Sequence, residues 1–308
     1  MPRKAALIGV DWGTTSFRAF LLDAEGAVLD RRTGPHGILS VKDSGFGGVL
    51  TGQVGGWLEK AQLPVVMSGM IGSRQGWIEA PYVTTPAGVA DLAAALVRVS
   101  FEAAEVHVVP GVETANAAMR DVMRGEETQV FGALLERGLD RARFLLPGTH
   151  SKWVQAEAGR IARFSTYMTG EIFAACRDHT ILGRLIEQGE GDPAVFLRGV
   201  RQGARAGSPG ALLNRLFGVR TAGLFGEIAG AALGDYLSGL LIGAEIADAG
   251  SQATGPVFIV ASHDLAERYR TATAELGVDA EAVPSESVVR AHLAIARTAG
   301  LLQAAAGA

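Results

Sequence analysis

Two short stretches of the 308-residue chain carry residue types suited to holding phosphate. The first is Ile8-Gly9-Val10-Asp11-Trp12-Gly13-Thr14-Thr15-Ser16-Phe17-Arg18, an apolar run that ends in a carboxylate and a Gly-Thr-Thr turn. Gly13 permits a tight reversal, and residues 17–22 read as the returning strand of a hairpin. The turn offers backbone N–H groups and the hydroxyls of Thr14, Thr15 and Ser16. Asp11 supplies the negative charge a hydrated magnesium ion needs, since that ion keeps most of its waters and takes only one or two carboxylates. The same residues would also satisfy an ordinary turn. The second stretch, Phe144-Leu145-Leu146-Pro147-Gly148-Thr149-His150-Ser151-Lys152-Trp153-Val154, repeats the pattern of apolar strand, Gly148-Thr149 turn and apolar strand. Lys152 either adds positive charge near phosphates or stands in solvent after the turn. His150, beside the turn, is of a type that takes up protons near neutral pH.

Other segments carry the groups a small substrate would need. Residues 65–82 run from a buried strand into a glycine-punctuated loop. Loops at the carboxyl ends of strands bind small ligands in α/β domains. This one offers Gly69, the cation Arg74, the aromatic Trp77, Glu79 and Tyr82. Arg124-Gly125-Glu126-Glu127 reads as a turn opening a helix with two acids in its first turn, where they would compensate the helix dipole. Met168-Thr169-Gly170-Glu171 is a further polar exit from a strand, with Glu171 placed to hold hydroxyls or to cap a helix. Residues 256–265 read as a strand followed by a helix with Ser262 as N-cap.

The elements that must position these groups form an ordered series. Strands are expected near 5–11, 17–22, 27–33 and 64–68, with a helix within about 45–61. The pattern restarts with strands near 143–147, 151–156 and 160–166. A buried helix over 235–248 has Gly239 and Gly243 four residues apart, a spacing that suits close helix packing because interior glycine otherwise weakens a helix. The segment 285–305 is alanine-rich and helical, and is expected to pack back near the domain boundary. The division drawn from this echo is 1–120 and 121–308.

Composition narrows the function. Hydrophobic residues make up 48% and charged residues 19% of the chain, as in a compact globular protein. The net charge of −4 argues against a nucleic-acid partner, and scattered Lys and Arg give no membrane patch. A lone cysteine, Cys176, forms no internal disulfide and suits a reducing compartment. The six histidines have no metal-ligand spacing. A cytoplasmic protein is expected, with homo-oligomerisation left open.

The two hairpins, one in each half, resemble the phosphate-1 and phosphate-2 loops of the actin, Hsp70 and sugar-kinase superfamily. That resemblance implies an α/β fold of two RNase H-like domains with ATP and substrate in an interdomain cleft. Gly13, Thr14, Thr15, Gly148, Thr149 and Lys152 would then hold the ATP phosphates, and Asp11 the metal. Ala261-Ser262 stands where the superfamily's adenosine segment usually carries a glycine pair. In glycerol and xylulose kinases a Gly-Asp-Gln helix start precedes the second phosphate loop by about twenty residues, and its Asp is the catalytic base. Gly125-Glu126-Glu127 occupies the matching place, so Glu126 ranks first as base, then Glu127, then His150.

Several segments together resemble one family, the 2-dehydro-3-deoxygalactonokinases. They are Asp11-Trp12-Gly13-Thr14-Thr15, Ser68-Gly69-Met70-Ile71-Gly72-Ser73, Gly76-Trp77 with Ala80-Pro81-Tyr82, Met123 to Gln129, Pro147 to Trp153, Met168 to Glu171 and Leu237 to Glu245. The resemblance implies ATP- and Mg2+-dependent phosphorylation of 2-dehydro-3-deoxy-D-galactonate at its 6-hydroxyl, in galactonate breakdown. Substrate contacts are then expected from Arg18, Gly69, Arg74, Trp77, Tyr82, Arg124 and Glu171. A guanidinium from Arg18, Arg74 or Arg124 would take the sugar-acid carboxylate. The competing readings are a kinase for a related sugar acid or sugar, and an ATP-switched interaction protein of the actin or Hsp70 kind.

Overall fold

The computed structural model describes residues 3–42, 45–115, 119–205, 210–250 and 255–302. In chain order the strands of its first half are β1 (Ala5–Trp12), β2 (Phe17–Asp23), β3 (Val28–Gly34), β4 (Val65–Ser68), β5 (Tyr82–Thr84), β6 (Val97–Val99), β7 (Val106–Val108), β8 (Gly111–Ala115) and β9 (Arg120–Met123). Those that follow are β10 (Ala142–Leu146), β11 (Ser151–Glu157), β12 (Arg160–Tyr167), β13 (Val257–Ala261) and β14 (Ala280–Pro284). The helices are α1 (Gly45–Leu58), α2 (Val89–Ala94), α3 (Glu126–Arg137), α4 (Thr169–His179), α5 (Pro193–Ala204), α6 (Ala211–Leu224), α7 (Gly230–Gly250), α8 (His263–Glu275) and α9 (Val288–Thr298).

The large sheets have the orders β3-β2-β1-β4-β7-β6 and β12-β11-β10-β13-β14. Each is built on the same plan: three consecutive strands lie side by side, and the first of them takes the next strand in parallel on its other edge. This is the duplicated α/β architecture expected from the sequence, with two RNase H-like halves. A small sheet, β5-β8-β9, is added after the first.

The chain divides into two compact units, of residues 1–141, 154–164 and 285–308, and of residues 142–153 and 165–284. This division differs from a single boundary after residue 120. Residues 121–141 and the C-terminal segment fall in the first unit because α3 and α9 pack against each other, and α9 also packs on α2 and β1. The last helix ends at Thr298. Residues 303–305 of the expected helical segment lie outside the described residues.

In the first unit, alternation along β1 sends Ile8, Val10 and Trp12 into a core shared with Leu50, Val54, Trp57 and Leu58 of α1. Gly9 lies against α9. A Cβ there would come within 2.6 Å of His292 Nδ1, so glycine is what lets that helix approach the sheet. In the second unit, α5 and α7 cross through reciprocal glycines. A Cβ on Gly239 would lie 2.1 Å from Phe196 O, and one on Gly203 would lie 2.0 Å from Leu240 O. The four-residue glycine spacing in α7 is thus matched by Gly199 and Gly203 in α5, and backbone meets backbone. Among the described residues, no helix is long and apolar enough to cross a membrane.

Candidate active site

In the first unit, Asp11 is the penultimate residue of β1 and is aligned with Ser68 at the end of the parallel strand β4. Across the β1–β2 hairpin its register partner is Arg18, whose Nη2 donates to Asp11 Oδ2. Arg18 Nη1 also donates to Ser285 Oγ at 3.0 Å. Arg18 is therefore already paired with a carboxylate. The other Asp11 oxygen faces Gly69, where a Cβ would lie 3.4 Å from Oδ1 and 2.7 Å from Trp12 O. Gly69 has φ 95° and Gly125, whose own Cβ would approach Gly69 Cα at 3.1 Å, has φ 108°. Both positions need glycine. They bring the end of β1, the loop after β4 and the start of α3 to one place.

The Gly13 turn is closed by Gly13 N donating to Ser16 O at 2.9 Å. Its outer side is held by Ile38 N donating to Gly13 O and Leu39 N donating to Thr14 O. Thr14, Thr15 and Ser16 are exposed.

At the start of α3 the two acids behave differently. Glu126 is half-buried, and its Oε2 accepts Arg124 N at 3.0 Å. Glu127 is fully buried, with Oε2 accepting Gly125 N at 2.7 Å and Oε1 without a hydrogen-bond partner among the described residues. Burial, reinforced by the charge of Glu126, pushes the Glu127 carboxyl up to about 8. Both side chains satisfy backbone donors around the helix start. Of the two, Glu126 is the one with an open side.

The three candidate arginines are separated by the geometry. Arg74 is exposed and pairs with Glu79 at 3.1 Å. Arg124 is buried, donates Nη2 to Ala80 O at 2.8 Å, and lies with its guanidinium 4.3 Å from the Tyr82 ring centroid. Its Nε and Nη1 have no hydrogen-bond partner among the described residues. Trp77, expected as an aromatic platform, instead packs into a row of rings, stacked on Phe46 and edge-on to Phe101. Ser68 Oγ lies 2.8 Å from Nε2 of the fully buried His292. Sequence reasoning did not single out that histidine, because only the tertiary packing of α9 brings it to β4.

In the second unit, Gly148, Thr149 and His150 form an exposed turn. Helix α4 starts against it: Glu171 N donates to Thr149 O at 2.9 Å, and a Cβ on Gly170 would meet Gly148 O at 2.3 Å. His150 Nε2 and Glu171 Oε2 are 2.5 Å apart, so these two candidates occupy each other. Lys152 is buried on β11, which excludes the solvated reading of that lysine.

The β11 neighbours of Lys152 point the other way and meet a residue the sequence reading left unassigned. Glu245, buried in α7, accepts Trp153 Nε1 at 2.9 Å on Oε1. Its Oε2 accepts Tyr269 OH at 2.8 Å and Thr169 Oγ1. The available signal was a carboxylate flanked by apolar and small residues, Ile242-Gly243-Ala244 before it and Ile246-Ala247 after it, within a helix read as buried.

Beside the turn lies a cavity of about 670 Å3, lined among others by Gly148, Thr169, Phe173, Leu265, Arg268 and Tyr269. The expected adenosine pair, Ala261 and Ser262, precedes α8, whose Leu265, Arg268 and Tyr269 form the wall. Ser262 is the N-cap of α8 but its side chain makes no capping hydrogen bond. Arg268 is held in the wall by Asp235 at 2.8 Å and Ser238 at 2.9 Å. Cys176 is half-buried on α4, and burial raises its thiol pKa.

Comparison with known proteins adds a consistent result. A family model described as 2-keto-3-deoxy-galactonokinase matches residues 11–296. A relative from Rhizobium meliloti (strain 1021), named as the 2-dehydro-3-deoxygalactonokinase DgoK1, is 38% identical over 94% of this chain and 96% of its own. The 2-dehydro-3-deoxygalactonokinase of Escherichia coli (strain K12) is 34% identical over 94% of this chain and 96% of its own. A crystal structure of a Sinorhizobium meliloti protein named as a 2-dehydro-3-deoxygalactonokinase superposes with a TM-score of 0.87 at 38% identity, covering 94% of this chain and 98% of the other.

Proposed function

The chain belongs to the 2-keto-3-deoxy-galactonokinase family, and we propose that it phosphorylates 2-dehydro-3-deoxy-D-galactonate with ATP, at the 6-hydroxyl, as a step of galactonate breakdown. The observation that carries this reading is the family match over residues 11–296, a span that includes both glycine turns and the acidic start of α3.

The residues present fit ATP and magnesium. Gly170 leaves the Gly148-Thr149 turn open where any Cβ would collide with it, and the adjacent cavity has room for a nucleotide base. The exposed Thr14-Thr15-Ser16 turn adds donors for phosphate oxygens. Asp11 has one oxygen engaged by Arg18 and the other free of that pair, which suits an ion that binds through its waters to few carboxylates. Magnesium, when bound, supplies positive charge to the phosphates.

In this reading Gly13, Thr14 and Thr15 in the first unit, and Gly148 and Thr149 in the second, each offer backbone donors suited to phosphate oxygens. The wall built from α4, α7 and α8 receives the adenine. Glu126 accepts the proton of the attacking hydroxyl, since a base must reach its substrate and Glu127 is sealed off. Arg124 takes the substrate carboxylate, because Arg18 and Arg74 already serve acidic partners. Tyr82 covers one face of the Arg124 guanidinium.

The test is ATP consumption by the purified protein against 2-keto-3-deoxy sugar acids, ordinary aldonates and hexoses, with mass detection of product. Selective phosphorylation of 2-dehydro-3-deoxygalactonate is expected. Turnover of a different panel member in its place would overturn the substrate assignment.

A further inference from the structure

Glu245 is placed between two features of the second unit that a nucleotide would touch. On one side it accepts a hydrogen bond from Thr169, the first residue of α4. The next residue, Gly170, sits directly on Gly148 O, and Glu171 N holds Thr149 O at 2.9 Å. On the strand leaving the same turn, Trp153 Nε1 donates to Glu245 at 2.9 Å, while Ser151 Oγ lies 3.0 Å from the Tyr269 hydroxyl. On the other side, Tyr269 OH donates to Glu245 at 2.8 Å from α8. Thr169 and Tyr269 both line the 670 Å3 cavity.

A buried carboxylate is retained at reasonable cost only when donors surround it. Here burial holds the Glu245 carboxyl above the usual carboxylate range, and hydrogen bonds from Thr169, Trp153, Tyr269 and Ser151 offset only part of that rise. Carboxylate oxygens only accept, so they fix the direction of every hydroxyl around them. One side chain thereby sets the position of the α4 start behind the turn, of the strand after it, and of the α8 wall.

We propose that Glu245 is a positioning residue for ATP: it holds the Gly148-Thr149 turn and the cavity wall in register, acting through Thr169, Trp153 and Tyr269 without touching the nucleotide. This rests on the reading of the turn and cavity as the ATP-binding elements. Glutamine at 245 keeps the volume but replaces one acceptor by a donor. Trp153 Nε1 can only donate, so the amide oxygen stays with it, and the amide NH2 faces Thr169 and Tyr269. Both hydroxyls must then turn round, and the turn loses its fixed backing.

The experiment compares wild type, Glu245→Gln, Thr169→Val and Thr169→Ser by steady-state kinetics with both substrates, by calorimetric binding of a non-hydrolysable ATP analogue, and by thermal melting. Glu245→Gln and Thr169→Val are expected to raise the KM for ATP and the analogue Kd about ten-fold or more, with the sugar-acid KM within about two-fold. Thr169→Ser, which keeps the hydroxyl, should restore ATP binding. Equal rises in both KM values, unchanged analogue binding in Glu245→Gln, or a Thr169→Ser variant as weak as Thr169→Val would each overturn the proposal. A wild-type protein that binds the analogue but ignores the sugar acid would overturn the substrate assignment alone, and analogue binding by the variants would still decide the role of Glu245.

Discussion

Ser68 Oγ and His292 Nε2 lie 2.8 Å apart in the first unit, although 224 positions separate them in the chain. The contact fastens α9 to the end of β4, one strand away from Asp11. The imidazole is fully buried, with Nδ1 against Gly9 and without a hydrogen-bond partner among the described residues. Burial pulls the His292 pKa down to about 4, against a weaker opposing effect of Asp11. The folded protein thus refuses a proton that the unfolded chain binds from about pH 6.5 downward. Stability should be intact above pH 6.5 and fall as the pH drops toward 4, by up to about 3 kcal/mol from this residue. Urea midpoints measured over pH 4 to 7 should show that slope in wild type and its loss in His292→Gln; parallel curves would refute the assignment.

Glu127 has the opposite sign. Its carboxyl is raised to about 8, so the folded state keeps a proton that the unfolded chain releases near pH 4.5. Its burial therefore costs stability progressively as pH rises from about 4.5 to 8. Glu127→Gln keeps an acceptor for Gly125 N and removes the charge, so at pH 8 it should melt at the same temperature as wild type or higher.

The neighbouring acid should respond in activity. Glu126→Gln is expected to lower kcat about a hundred- to ten-thousand-fold with analogue binding retained, whereas Glu127→Gln should stay within about ten-fold of wild type. If Glu127→Gln were the inactive variant and Glu126→Gln the active one, the roles would have to be exchanged.

How much of this was legible in the sequence depends on the range of the interaction. The two hairpins, their strands and the restart with a strand near 143–147 follow from apolar runs broken by glycine, and the sheet orders repeat as that echo implies. Gly125 opening a helix with two acids was equally local. The occupancy of the arginines was not. Asp11 and Arg18 are seven apart and become partners only through the register of β1 with β2. Strand alternation placed Lys152 opposite its neighbours, but not the layer that buries it. Trp77 read as an open ring because the sequence does not reveal that Phe46 stacks on it and Phe101 meets it edge-on. Glu245 gathers donors from three separate elements, which no spacing rule could collect.

Arg124 carries a prediction that separates it from Arg74. Replacing Arg124 by Lys removes the planar fork, and should raise the sugar-acid KM about ten-fold or more while leaving the KM for ATP near wild type. Arg74→Ala breaks only an exposed pair with Glu79, and should change either KM by less than about three-fold. A carboxamide analogue of the sugar acid should lose its disadvantage in Arg124→Gln, which removes the cation as well as the fork. If it stays equally poor relative to the acid in wild type and variant, the carboxylate is held elsewhere.

The α5–α7 crossing gives a test of the scaffold that leaves the chemistry aside. Alanine at an interior helical glycine ordinarily gains about 1 kcal/mol from helix propensity. At Gly243 the added methyl would sit 2.2 Å from Val200 O, and at Gly239 2.1 Å from Phe196 O, both backbone atoms that cannot rotate away. The helices would have to separate, and overpacking of this kind costs about 1–3 kcal/mol or more. The clash should exceed the propensity gain, so Gly239→Ala and Gly243→Ala should each lower the urea midpoint. Gly218 in α6 supplies the control, because a Cβ there meets nothing within 4 Å. Gly218→Ala should be neutral or stabilising, and a destabilised Gly218→Ala beside an unaffected Gly243→Ala would mean that these two helices do not meet through their glycines.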